Sequence, residues 1–425
     1  MNTLKSICLS LLVVAGVSAG GASGQPSATN INPALLYYQA FLMAPNLPEA
    51  DDDYLWTKEW QGQELPERYG KLMAGYDNEF KLVRLAARSA VPCDWGINIS
   101  EGPAALLPHL ARCKAVVQAA KFRALWALQQ GRQADAREDL VAALVLGRNA
   151  ARDGTLISTL VQIATEAIDC RTVAELFGQF SPEDLQKLQD GFEAAPARRT
   201  VADCIPTEKA YFLDWIVRRI VALQQANPGD EAKVMKGIRE LLAGALEAPE
   251  GQEQALPDST WERLAQAAGG TSAGVVRLMQ ELEPYQQQLA VVLALPHGEY
   301  EGRMEQLMAE IQRSPNPLLS LLFPAWEKVR PRELMGLMNL AMVRAAVEFK
   351  LHGQAGLQTV TDPWGQGPFE FRRFVFEGVD RGFELKSACR RNGWPEVLIF
   401  VEKAGPPFYV NGKIAGEARP ATYPK

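Results

Sequence analysis

Between Ile31 and Leu351 apolar residues recur three and four positions apart almost without interruption, and beyond Asp362 that spacing gives way to alternation. The first period lines one face of an α-helix and the second one face of a strand, so the sequence reads as mainly α with a small α+β end. Leu106, Leu107, Leu110, Cys113, Val117, Ala120, Ala124 and Leu128 make one helical stripe that stops at Gly131. Ala136, Leu140, Ala143, Leu144 and Gly147 resume it, which predicts a helical hairpin over 106–152. Its small and apolar positions, Ala124, Ala127, Gly131, Ala136, Leu140 and Ala143, match one tetratricopeptide-like unit, without a second copy in register. A third helix is predicted from Leu156 to Phe177, and Ser181-Pro182-Glu183-Asp184 announces a fourth: Ser caps, Pro fits the first turn, and acids favour the positive helix end.

Further helices are predicted over Tyr211–Gln225, Ala232–Leu246, Trp261–Ala268, Val275–Leu295, Tyr300–Arg313 and Leu334–Leu351. The polar, Pro- and Gly-bearing stretch before Pro257 is the best interior linker. The expected division is therefore an N-terminal helical domain at 31–247, a linker at 248–257, a second helical segment at 258–330 and a C-terminal module at 331–425.

Residues 1–24 read as an export signal: Lys5 gives a positive start, Ile7 to Val17 an apolar stretch, and Val17-Ser18-Ala19 or Ala22-Ser23-Gly24 a small-residue cleavage context. That stretch is well short of the roughly 20 residues that span a bilayer. The expectation is a periplasmic or extracellular protein with no membrane span after cleavage. Such a compartment permits disulfides, and nearest-neighbour pairing would join Cys93 to Cys113 and Cys170 to Cys204, leaving Cys389 over; five buried thiols are the competing reading. With 44 Lys and Arg against 50 Asp and Glu, the net charge of −6 argues against nucleic-acid partners. Paired arginines such as Arg198-Arg199 read as solvated faces with local ion pairs.

Catalytic signals are thin. Only three histidines occur, and phosphate-loop, dinucleotide, serine-hydrolase-elbow and haem-attachment motifs are all missing. Cys93-Asp94-Trp95-Gly96 is the most distinctive peptide. A reactive Cys93 would need a base, and His109 is nearest in sequence; Asp94 and Glu101 flank the same loop as an acid pair, so Asp94, Trp95, Glu101 and His109 form a weak candidate cleft. Core packing is the competing reading. Neither a metal nor a cofactor is expected. The aromatic cluster Tyr37, Tyr38, Phe41, Tyr54, Trp56 and Trp60 reads as core before groove, and Asp51-Asp52-Asp53 as a solvated acidic loop.

At the C-terminal end, strands are predicted over Phe369–Phe376, Phe383–Lys386, Val397–Glu402 and Phe408–Ile414, the last turning at Asn411-Gly412. A change of face between Phe371 and Phe374 predicts a bulge near Arg372-Arg373. Asp362-Pro363-Trp364-Gly365 is a turn by its own chemistry, with an Asp that bonds following backbone, a fixed φ at Pro and a flexible Gly. Together with Ala345–Gly353 before it and Phe369-Glu370-Phe371 and Phe383–Ser387 after it, this stretch resembles the periplasmic part of the type II secretion major pseudopilin. The resemblance covers roughly the last ninety residues and implies a helix, a loop, this turn and a β-meander. It also resembles the tail of a broad group of exported bacterial proteins with helical bodies. Departures are plain: a conventional export signal and a long helical body replace the fibre-forming helix, and no calcium loop is evident, so neither fibre assembly nor calcium is implied.

The functional expectation is an exported protein-binding or envelope scaffold protein with an unidentified protein partner. The alternatives are a carboxylate-dependent hydrolase of envelope or extracellular polymer and an accessory component of a secretion or surface assembly.

Overall fold

The computed structural model describes residues 29–245, 256–323, 326–391, 394–410 and 413–414. The export signal at 1–24, the linker up to residue 255 and the Asn411-Gly412 turn lie outside the described residues. The architecture is mainly α with a small antiparallel sheet at the C-terminal end.

The first helices are α1 (Pro33–Met43), α2 (Glu49–Thr57), α3 (Glu67–Ala74) and α4 (Asp77–Ala87). The acidic triplet is thus in a helix rather than a loop, with Asp51 and Asp52 favoured in the first turn of α2, the positive end. Arg68 holds the buried Asp51 at 2.6 Å. Then α5 (His109–Gln129) and α6 (Gln133–Ala150) form the predicted hairpin. The N–H of Gly131 bonds Leu128 O and that of Arg132 bonds Ala127 O, a Schellman ending that requires the positive φ of Gly131. Ala124, Ala127, Ala136, Leu140 and Ala143 are all buried, the small side chains letting the helices approach closely.

Beneath the hairpin runs α7 (Leu156–Leu176), followed by α8 (Pro182–Ala194), where Ser181 Oγ accepts from Asp184 N at 3.1 Å as the start signal predicts. A lesser series follows: α9 (Ile205–Glu208), a π-helical turn at Lys209–Leu213, α10 (Asp214–Ala226), α11 (Glu231–Ala245), α12 (Asp258–Ala267), α13 (Ser272–Gln280), α14 (Glu283–Leu293), α15 (His297–Arg313) and α16 (Pro317–Leu322). The single helix predicted over Val275–Leu295 is two, because Pro284 stands in the first turn of a new helix and cannot continue the old one. Last comes α17 (Val329–Leu357), broken at Gly353. No helix among the described residues is long and apolar enough to cross a membrane.

The sheet runs β1 (Glu370–Phe376), β2 (Val379–Arg391) and β3 (Trp394–Val401), antiparallel and in that order, and β4 (Tyr409–Val410) pairs with β5 (Lys413–Ile414). The bulge predicted near Arg372-Arg373 is absent, because Phe371 and Phe374 lie on opposite faces of a regular strand and each face is covered by apolar residues; the register shifts instead on β2. Phe374 pairs with Gly382 and Val375 with Asp380, so Arg381 is the extra residue. The bulge turns Arg381 inward, and it becomes the largest fully buried side chain. Its Nε and Nη1 donate to the carbonyls of Lys403 and Pro406, both at 2.9 Å. The guanidinium lies between Gly62 and Gly405, where any Cβ would collide with it, and Gly405 N reaches Gly62 O at 3.2 Å.

Three main apolar cores result. One joins α3, α5–α8, α17 and the sheet; another joins α9–α16; a third lies under α1 and α4 against the outer faces of α5 and α6. The stretch 331–425 read as a module therefore shares its core with helices near the beginning of the chain. Phe177, after α7, is the pivot, edge-on to Phe383 at 5.6 Å and Phe400 at 5.2 Å. The Asp362 turn closes the sheet through its Asp as predicted, while Gly365 keeps an ordinary φ rather than the positive one its freedom would allow. Buried Asp362 accepts from Ser387 Oγ, Ala388 N and Trp364 N, and Gly365 N returns to Asp362 O at 3.0 Å. Pro363 links those ends, while Trp364 lies against His297 of α15, ring centres 3.8 Å apart.

Candidate functional site

The structure separates the four residues of the predicted cleft. Trp95 and His109 come together, but inside the third core, with rings stacked 4.4 Å apart. Tyr37 and Phe41 also stack on Trp95, whose Nε1 donates to Asn149 O at 2.7 Å. His109 is fully buried, its Nε2 lying 3.3 Å from Ala150 O and 3.4 Å from Asp153 Oδ2. Burial raises the Asp153 pKa, yet hydrogen bonds from His109, Ser158 and Thr155 outweigh it and hold the carboxyl below its usual value. Asp94 and Glu101 stay on the surface, bonded within their own loop to Gly96 N and Asn98 Nδ2. No cleft unites these four, because an apolar ring system this large is worth more buried than lining water.

The cysteines are corrected likewise. All five described cysteines are free, buried thiols. Cys93 and Cys113 share the third core, but Cys170 belongs to the first core, whereas Cys204 bonds Thr159 Oγ1 at 3.1 Å. Burial pushes the Cys93, Cys204 and Cys389 thiols up to about 12, so none is a ready nucleophile at neutral pH. Among the described residues no three His, Cys, Asp or Glu side chains gather as a metal site.

The unusual chemistry lies on α7. This helix is buried on nearly every side, yet Gln162, Glu166, Asp169 and Glu175 are buried on it. Glu166 takes Arg198 Nη2 at 2.9 Å and Arg148 Nε at 3.3 Å. Glu333 on α17 takes Arg198 Nη1 at 3.4 Å, Val201 N at 3.1 Å and Arg330. Arg148 Nη1 also donates to Pro196 O at 3.0 Å, and Gln162 exchanges two 3.0 Å bonds with the Arg199 backbone. Arg198 is thus no solvated surface charge; it pins segment 195–201 to two helices. Sequence spacing hides this, since the partners are 32 and 135 residues away.

Asp169 is the exception in the network, with both oxygens buried and unpartnered. Burial, then the neighbouring Glu166, drives its pKa well above the usual carboxylate range. Because the folded value exceeds the unfolded one, the cost is absent below the unfolded pKa, about 4, and grows as pH climbs toward the folded value. Asp169→Asn should therefore stabilise the protein by about 2 kcal/mol at neutral pH and little near pH 4. Urea unfolding at both pH values measures this; an equal gain at both would refute the protonation account.

Beside this network a cavity of about 410 Å³ opens between α8 and α17. Leu188, Phe192, Leu340, Val343 and Val360 give it apolar walls, Arg148 reaches it from the network, and Thr359 and Thr361 close one end. Gln189 is more than nine-tenths buried, and its Oε1 has no partner while its Nε2 donates to Glu193 at 3.2 Å and Glu348 at 3.5 Å. At the rim, exposed Arg344 and Glu193 lie 3.7 Å apart. The size is that of a small ligand or one large side chain. Glu193 is the one carboxylate in its lining, and it faces a cation rather than a second acid. Such an arrangement holds a group with an apolar body and an N–H or O–H donor for Gln189. The free acceptor could have been suspected only from folding Gln189 into the buried stripe of Leu185, Leu188 and Phe192.

Comparison with known proteins finds no family model, curated protein or solved structure that matches this chain.

Proposed function

We propose that this chain is an exported binding protein of the cell envelope or medium, which holds a segment of a partner protein in the cavity between α8 and α17. The export reading rests on Lys5 and the apolar stretch from Ile7 to Val17. The resemblance of the Asp362-Pro363-Trp364-Gly365 region to a periplasmic module supports the same address. One observation carries the binding reading: a buried, unpartnered acceptor, Gln189 Oε1, at a cavity whose walls include Leu188, Phe192, Leu340, Val343 and Val360. A tryptophan or tyrosine side chain of the partner supplies both the apolar body and the donor. The neighbouring acids Glu166 and Glu333 are engaged by arginines, which suits a scaffold better than proton transfer.

Filling the cavity tests this. Ala341 lines it and is only partly buried, so Ala341→Trp should occupy the space while the fold persists. The partner that wild-type protein recovers from envelope fractions should bind the variant at least about 10-fold more weakly in a purified titration, the loss expected of one hot-spot contact. Unchanged affinity, with an unchanged circular dichroism spectrum, would overturn the cavity as the binding site.

A further inference from the structure

A second cavity, of about 200 Å³, lies in the second helical core, away from α8. Its walls are Leu156, Ile205, Leu213, Leu289 and Leu322 with the aromatic rings of Phe212, Phe323 and Trp326, and two polar side chains enter it, Glu208 and Gln286. The π-helical turn at Lys209–Leu213 sets Phe212 and Leu213 into this wall, the kind of local departure that recurs at binding sites. Tyr285 meets Phe323 edge-on at 6.4 Å and steadies it.

The two polar groups are both acceptors in need of donors. Glu208 Oε1 accepts from Leu156 N at 2.6 Å, at the start of α7, and the second oxygen is left for a ligand. No lysine or arginine among the described residues forms an ion pair with Glu208; its neighbour Lys209 turns instead to Asp214 at 3.4 Å and Glu283 at 3.8 Å. Gln286 Oε1 is buried without a partner. Asp153, Cys204 and Tyr211 are the other titratable groups near Glu208, and Asp153 adds to the negative potential.

We infer that this cavity binds a primary alkylammonium group, its carbon stem against the leucines and aromatic rings and its N–H donors shared by Glu208 and Gln286. Aromatic faces favour a cation, a carboxylate without a basic partner supplies the counter-charge, and an unpaired amide oxygen selects N–H over a methylated nitrogen. Lysine side chains and free diamines present the same group.

Isothermal titration of the intact protein with n-butylammonium, n-butanol and tetramethylammonium tests this. The primary ammonium should bind at least about 10-fold more tightly than the isosteric alcohol near pH 8, the margin of one charge-assisted hydrogen bond, and more tightly than the quaternary ion. Burial raises the Glu208 pKa, so that margin should shrink as pH falls and the carboxylate takes up its proton. Glu208→Gln keeps an acceptor for Leu156 N and should erase the preference; Trp326→Leu keeps an apolar wall but removes the aromatic face, and should weaken the ammonium more than the alcohol. Equal affinity for ammonium and alcohol, or an undiminished preference in Glu208→Gln, overturns the assignment. A diamine bound ahead of a lysine blocked at both ends as amides would assign the site to free amines, and the reverse order to a protein side chain.

Discussion

Glu166→Ala is expected to cost about 4 kcal/mol of folding stability. The carboxylate is buried and holds Arg148 and Arg198 at once, so its loss strands two desolvated guanidinium groups rather than one. Arg198 retains Glu333, and Arg148 retains the carbonyl of Pro196, which keeps the figure from rising further. Glu166→Gln preserves an acceptor and should lose roughly half as much. Urea midpoints at constant slope measure both. A loss below about 1 kcal/mol in the alanine variant would mean that water reaches the arginines through the adjoining cavity.

Phe177→Ala should cost a similar amount, about 4 kcal/mol, for a different reason. Its ring fills the junction between α7 and the faces of Phe383 and Phe400, and helices cannot close on a strand pair after it is deleted. Because the first core runs from Leu55 to Phe400, the helical signal and the sheet signal should fall in a single transition at a lower midpoint. Far-ultraviolet dichroism monitors the helices, and hydrogen exchange of the β2 and β3 amides monitors the sheet. Two separated transitions would show that the C-terminal module is an independent unit, against the shared core.

What the sequence made legible was local. Ser181-Pro182 opens α8, Gly131 closes α5, and Asp362-Pro363-Trp364-Gly365 folds on itself, because each signal acts on backbone within a few residues. The bulge was not legible: Phe371 and Phe374, three residues apart, take opposite faces of a regular strand, one against the first core and the other against a cluster with Ile399 and Phe408, while the extra residue sits on β2. The predicted cleft failed for a related reason. Asp94, Trp95 and Glu101 are close in sequence, but burial sorts them by chemistry and sends the indole inward while the carboxylates remain in water. Neither cavity was legible. Gln189, Glu208 and Gln286 are ordinary helical residues until the fold brings α8 to α17 and α9 to α14, and their unpaired atoms exist only after that packing.

The Arg381 clamp also fixes an order of events. Gly62 is made early on any ribosome, whereas Arg381 and Gly405 emerge more than three hundred residues later. The closure of Gly62 on Gly405 therefore waits until nearly the whole chain has been made, and contacts of such sequence separation form slowly. A chain shortened before Arg381 retains every residue of α1 to α17 but lacks the bolt that shuts them. Until its final strands arrive, the first core lacks Phe383, Leu385, Leu398 and Phe400, whereas the core of α9–α16 already has all of its residues, so the two ends of the molecule mature at different times.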